Sequence, residues 1–308
     1  MLLSNLKKKV SLLLFVTSVS VFTIGCGSSG GTDGSGTGGD AGTQPTVTIT
    51  TENADKVTSG TVQSISGALE LESGGIPYTG AVSNNIAKSA SKLNKLSNIA
   101  AATLEPGTLA ESGTESCSGG GSVSYNGNES TGGTVTFNQC VESGITINGT
   151  MVLTISGADT TTKLSDFSVK ASYADAGSSY NVEAYYQTAI VHLNTNTYDM
   201  DLTATGYAVE NADRFDFENY SMTKTGNQYT FNGLVKTDCM GGWIELKTTK
   251  ALVMDNSYGC PTAGEIISIG DNSEMKFVFN TDTSVDVTVN GAAYKSYNSC
   301  DDLPENCK

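Results

Sequence analysis

Ile145-Thr146-Ile147-Asn148-Gly149-Thr150-Met151-Val152-Leu153-Thr154-Ile155-Ser156 decides the fold class. Apolar residues at 145, 147, 151, 153 and 155 alternate with Thr, Asn and Ser. That period of two puts one set of side chains on a buried face and the other in water. Asn148-Gly149 interrupts the pattern with the pair that most often closes a two-residue hairpin. The same alternation extends in both directions, through Val123/Tyr125, Val135/Phe137, Phe167/Val169/Ala171/Tyr173, Tyr180/Val182/Ala184 and Tyr198/Met200/Leu202. It continues through Phe215/Phe217, Tyr229/Phe231, Ile244/Leu246, Met275/Phe277/Phe279 and Val285/Val287/Val289. Asn126-Gly127, Asn232-Gly233 and Asn290-Gly291 punctuate it as further expected turns. About a dozen strands joined by short turns exceed what a flat sheet carries, so the sheet is expected to curl, split or close.

The segment before these strands reads differently. Residues 46–65 start with alternating Val47 and Ile49, and Thr51 is expected to cap a helix whose apolar stripe is Ala54, Val57, Val62 and Ile65. Gly74-Gly75-Ile76-Pro77 breaks the chain. Ile86, Ala90, Leu93, Ala100 and Leu104 then mark a second helix over 83–104, ended by Pro106-Gly107. Lys88, Lys92 and Lys95 share its other side, either as a cationic stripe or as an ordinary solvated face. The expected fold is mainly β: N-terminal helices packed on a large curved antiparallel sheet, half-barrel or barrel-like, stapled by disulfides.

At the N-terminus, Lys7-Lys8-Lys9 precedes an apolar run over 10–24 and the junction Gly25-Cys26, which is the layout of an export signal. The run is too short to span a bilayer comfortably. Thr23-Ile24-Gly25-Cys26 resembles the lipobox of bacterial lipoproteins, although Thr23 replaces the usual Leu. The resemblance implies cleavage before Cys26 and diacylglycerol and acyl chains, palmitate among them, on its thiol and amine. Gly27 is not the Asp that retains many lipoproteins at the inner membrane, so the same resemblance implies the outer membrane. Eight of the nineteen residues over 27–45 are glycine, which makes this segment a flexible tether reaching on the order of 25 Å. The expected organisation is signal peptide over 1–25, lipidated Cys26 and tether over 26–45, helical segment over 46–112 and β domain over 113–308.

Six cysteines remain beyond Cys26: Cys117, Cys140, Cys239, Cys260, Cys300 and Cys307. An even number in an exported chain reads as three disulfides. Of the possible pairings the sequence-local set, Cys117–Cys140, Cys239–Cys260 and Cys300–Cys307, is favoured by a faint internal repeat. Cys117-Ser-Gly-Gly leads to Cys140 and Gly144 much as Cys239-Met-Gly-Gly leads to Cys260 and Gly264. Thr136-Phe137-Asn138-Gln139-Cys140 and Ile147-Asn148-Gly149-Thr150 resemble segments of uncharacterised proteobacterial outer-membrane lipoproteins, over roughly 46–157. That resemblance implies no activity and no catalytic residue.

Composition and motifs narrow the function. The chain carries a net charge of −15, and removing the signal takes away three lysines and no acid. Nucleic acid and anionic lipid headgroups would both be repelled. No C-x-x-C motif occurs and His192 is the single histidine, so neither a structural zinc site nor a c-type haem is expected, and no metal or other cofactor. His192, between Val191 and Leu193, falls on the polar parity of a strand, which favours a surface side chain over a triad member. Asp199/Asp201, Asp216/Glu218 and Asp282/Asp286 form same-face acid pairs, the arrangement of glycosidases and of calcium sites, but thirty-two acids on a large sheet produce such pairs by accident. Trp243 with Tyr185, Tyr186, Tyr220, Tyr229 and Tyr258 could line a glycan surface or pack cross-strand neighbours, and packing is favoured.

The reading is a lipid-anchored cell-envelope protein of the outer membrane with a non-enzymatic binding or scaffolding role. Its partners are the membrane through the anchor, and an envelope protein, glycan or lipid, with no nucleic acid. Two alternatives stand beside it: a carrier of an acyl chain in a curled sheet, resembling half-barrel lipoprotein carriers in outline, and a calcium-dependent surface adhesin.

Overall fold

The computed structural model describes residues 44–72, 112–128, 131–142, 144–175, 178–210, 213–254 and 261–304. Cys26, Cys260, Cys307 and Tyr258, the signal and tether over 1–43, and the second expected helix with Lys88, Lys92 and Lys95 lie outside these residues.

Fourteen antiparallel strands form one open sheet in sequence order. They are β1 (Ser112–Ser116), β2 (Ser122–Asn128), β3 (Gly132–Glu142), β4 (Ile145–Ser156), β5 (Asp159–Asp175), β6 (Ser178–Asn194) and β7 (Met200–Glu210). β8 (Asp213–Thr225), β9 (Gln228–Thr237), β10 (Gly242–Val253), β11 (Ala263–Gly270), β12 (Ser273–Phe279), β13 (Val285–Val289) and β14 (Ala292–Tyr297) follow. No ladder joins β14 to β1, so of the expected outcomes, a half-barrel or a barrel-like sheet, closure does not occur. Closure needs the first and last strands to hydrogen-bond to each other along their length. β1 is Ser-Gly-Thr-Glu-Ser and almost wholly exposed, and β14 is short with only Tyr297 buried. Both strands suit an edge rather than a seam.

The chain divides into two compact units. The first holds β1 to β7 with residues Ser221–Gly226. Its long hairpin β5–β6 buries Leu164, Phe167 and Val169 beside Ala184, Tyr186, Ala189 and Val191. Phe137 meets Phe167 edge-on, with ring centroids 5.9 Å apart. A smaller cluster of Val123, Val135 and Phe137 surrounds the Cys117–Cys140 disulfide, which ties the end of β1 to β3 across a Cα separation of 5.4 Å. This is one of the three pairings expected from the sequence.

The second unit holds the chain up to Ser64, Asp213–Tyr220 and Asn227–Lys308. Its sheet residues Phe231, Val235, Ile244, Leu246, Leu252, Ile266, Met275 and Val285 are fully buried. Residues 46–49 run as a strap along one end of these strands. The N–H of Thr46 donates to Trp243 O at 2.9 Å and Val47 O accepts from Asp271 N at 2.7 Å. Ile49 donates to Ser273 Oγ at 2.7 Å, and its carbonyl accepts from Asn290 Nδ2 at 3.2 Å.

Helix α1 (Ala54–Glu72) follows the strap. Asn53, not Thr51, precedes it: the Asn53 carbonyl accepts the first helical bond, from Val57 N at 3.1 Å. The Asn53 amide accepts from Thr50 N and donates to Thr48 O, which locks the entering turn and leaves Thr51 bonded to Glu52 outside it. From Val57 to Ser64 the helix is buried apart from the half-buried Val62. Small hydroxyl residues make this burial tolerable. Thr58 and Ser64 return their hydroxyls to the carbonyls of Ala54 and Gly60, while Thr61 bonds Ser268 of β11 at 2.7 Å. The Tyr220 hydroxyl of β8 donates to Ser64 O at 2.8 Å. No helix among the described residues is long and apolar enough to cross a membrane.

Three of the four Asn-Gly pairs expected to be turns lie inside strands. Asn126-Gly127 is in β2, Asn148-Gly149 in β4 and Asn232-Gly233 in β9. Only Asn290-Gly291 closes a hairpin, with φ of 50° and 76° between the paired Val289 and Ala292. Asn126-Gly127 pairs in continuous register with Thr134 and Gly133, whereas Asn148-Gly149 and Asn232-Gly233 serve β-bulges. Gln139 (φ 48°), Asp166 (φ 46°) and Asn219 (φ 49°) each sit in mid-strand in a left-handed conformation. At each, the buried parity changes: Leu164 gives way to Phe167 in β5, and Phe217 to Tyr220 in β8. Gly149 faces Asp166 and Phe167, and Gly233 faces Asn219 and Tyr220, at an approach too close for a Cβ. Asn148 Oδ1 accepts the bulged Gln139 N–H at 2.9 Å, and Asn232 Oδ1 accepts Thr248 N–H at 3.2 Å.

Candidate functional site

The aromatic group divides between the two faces. Tyr186, Tyr220 and Tyr229 are buried core residues, and burial pushes the Tyr186 phenol up to about 12. Trp243 is half-buried, with its main chain held by the Thr46 hydroxyl. Tyr185 lies on the polar face, directly across from Tyr207, with ring centroids 5.4 Å apart. Its hydroxyl donates to Asp166 at 2.9 Å, and that hydrogen bond, with burial behind it, raises its pKa. Tyr207 donates to Glu183 at 2.8 Å, and Lys170 pairs with Glu183 at 3.0 Å. These rings therefore form a cross-strand pair rather than an open platform.

His192 is exposed, with Nδ1 2.8 Å from the Thr161 hydroxyl on the neighbouring strand. Asp199, Asp216, Asp282 and Asp286 of the acid pairs are each engaged by nearby donors. Asp199 accepts Gly226 N–H at 2.9 Å, which together with the Thr197 hydroxyl holds its pKa below the usual range. Asp216 accepts from Arg214 at 2.7 Å. Asp282 is held low by the Ser284 hydroxyl and amide. Asp286 is held low by Ser296 and Asn280, against burial and the like charge of Asp282. Asp199, Asp282 and Asp286 anchor a turn or a neighbouring strand, while Asp216 bonds Arg214 of its own strand.

One surface feature escaped the sequence reading. The β6–β7 hairpin closes from Asn194, the last residue of β6, through a five-residue loop, Thr195-Asn196-Thr197-Tyr198-Asp199, in which Tyr198 was expected to be a strand residue in line with Met200. The loop is pinned at many points. Asn194 Oδ1 accepts from the amides of Asn196 and Thr197 at 3.0 and 3.1 Å, and Asn194 O accepts Tyr198 N–H at 2.7 Å. Thr195 bonds Ala158 O in the β4–β5 turn through both its amide and its hydroxyl. Asn194 Nδ2 bonds Asp159, and Asp199 ties in Gly226. Tyr198 itself has φ of 61° and is 60% exposed, the one large apolar side chain among the described residues to stand so far out. The signal that could have found the loop is its run of Asn and Thr, whose side chains bond their own backbone two or three residues on.

Cys239 and Cys300 are also disulfide-bonded. Comparison with known protein families, curated proteins and solved structures finds no match to this chain.

Proposed function

We propose that this chain is an exported, lipid-anchored envelope protein that works by binding, with Cys26 as its acylated N-terminus and the outer membrane as its seat. The observation that carries the reading is the oxidised state of the body's cysteines. Cys117 and Cys140 are joined, and Cys239 and Cys300 are disulfide-bonded too, downstream of an export-type segment. Such bonds persist outside the reducing cytoplasm. The favoured partners of Cys239 and Cys300 are Cys260 and Cys307.

Binding is favoured over turnover because the side chains that chemistry would draw on hold loops and strands: His192 bonds Thr161, and Asp199, Asp282 and Asp286 are each bound by neighbouring donors. An outer surface is favoured over an acyl cavity in the second unit, where Thr58, Thr61 and Ser64 of α1 are themselves buried and Thr61 bonds Ser268 of β11. The test is metabolic labelling of the full chain with a palmitate analogue, followed by membrane fractionation. The wild type should be labelled and sediment with membranes, whereas Cys26→Ser should be unlabelled and released. Unreduced digests should join Cys239 to Cys260 and Cys300 to Cys307. An unlabelled wild-type chain with free thiols refutes the proposal.

A further inference from the structure

Resting on the binding role above, we propose that Tyr198 is a preorganised stacking platform for a glycan, held at the tip of the β6–β7 hairpin. The position demands a left-handed backbone, φ 61°, which glycine, asparagine or aspartate adopts far more readily than an aromatic residue. The side chain is 60% exposed, so most of it meets solvent rather than the fold. A residue unfavourable for both backbone and solvation points to what it meets outside the molecule. The loop beneath it is rigid. Bonds from Asn194 to Asn196 and Thr197, from Thr195 to Ala158, from Asn194 to Asp159 and from Asp199 to Gly226 fix the ring's base before any partner arrives. Such preorganisation lowers the ordering cost of binding.

The surroundings select the partner. A protein interface needs on the order of 1,000 Å² or more with an apolar centre, whereas one aromatic ring offers roughly 150–250 Å². On the loop and the residues bonded to it, Asn196, Thr197, Asp159 and Gly226 are exposed and none is apolar. One ring rimmed by amides, hydroxyls and a carboxylate matches a sugar: the polarised C–H face of a pyranose lies on the negative π face, and the rim meets its hydroxyls. Tyr with Asn and Thr on a fixed loop is also the economical composition of adaptable binding loops.

The experiment is affinity electrophoresis of the full mature chain, solubilised in detergent, in native gels containing peptidoglycan-derived glycan strands, laminarin or dextran. At least one glycan should retard the wild type. Tyr198→Phe should keep the retardation, while Tyr198→Ala and Tyr198→Gly should weaken binding tenfold or more. Tyr198→Gly should melt no lower than the wild type, since it relieves the backbone. The inference is overturned if no glycan in the set retards the wild type, if Tyr198→Ala is retarded equally, or if Tyr198→Gly melts lower because the ring is structural. Acylation plays no part in this assay, so its failure is distinct from a failure of the palmitate labelling.

Discussion

Glu265 lies where three strands meet. The Thr249 hydroxyl donates to it at 2.7 Å from β10, with Lys250 at 3.2 Å, and Lys276 reaches it at 3.1 Å from β12. The Thr249 bond first, and the two lysines after it, outweigh burial and hold its carboxyl down to about 2 from 4.5. A folded-state value below the unfolded one favours the native state above pH 4.5, and that contribution is lost as pH falls toward about 2. Glu265→Gln should therefore lower the melting temperature at neutral pH and flatten its acid slope in that window. A titration of melting temperature against pH that leaves the two proteins parallel would refute the assignment. Nothing local in the sequence marks this residue, because its partners come from strands on both sides and only the register joins them. Tyr198 was hidden for the opposite reason: the alternation into Met200 and Leu202 made it look like a strand residue, although Asn194 to Thr197 had already turned the chain.

Among the elements, the long strands are what the sequence divided wrongly. A bulge adds one residue and moves every later side chain to the other face. Period-two reading therefore finds Phe167 and Val169 in β5 but misses Thr162 and Leu164, which are buried on the other parity before Asp166. In β6, Ala189 was missed after Tyr186 for the same reason. Asn-Gly reads locally as a turn, yet in β4 and β9 the glycine admits the bulged neighbour and the asparagine accepts an amide from the strand alongside. Gly149→Ala and Gly233→Ala should each cost roughly 3 kcal/mol, combining left-handed strain with a collision against the facing backbone. Gly157→Ala is the control, at φ 61° in a turn with open space around it, and should cost only about 1 kcal/mol. Urea unfolding midpoints of the three variants give the comparison, and equal losses would show that the close approach is unimportant.

At the scale of the whole molecule, the sheet is open and its two edges are unlike its middle. β1 is five polar residues and β14 is largely exposed, whereas β11, β12 and β13 alternate buried and solvated positions along their length. Amide hydrogen exchange should therefore be fastest in β1 and β14 and slowest in β9 to β12, since local opening near an edge exposes less apolar surface. Uniform protection from β1 to β14 would contradict an open sheet. The sequence by itself determined the mainly antiparallel class, the polar and apolar faces, the surface position of His192 and, through its internal repeat, the Cys117–Cys140 clasp, because alternation and cysteine spacing are local quantities. Only the tertiary structure decided that the sheet stays open, that Asn-Gly pairs seat bulges, that Asn53 starts α1 and that Tyr198 stands clear on a pinned loop. Each of these depends on which residue of a neighbouring strand lies opposite, and that register is set by packing across the whole sheet rather than by any one segment.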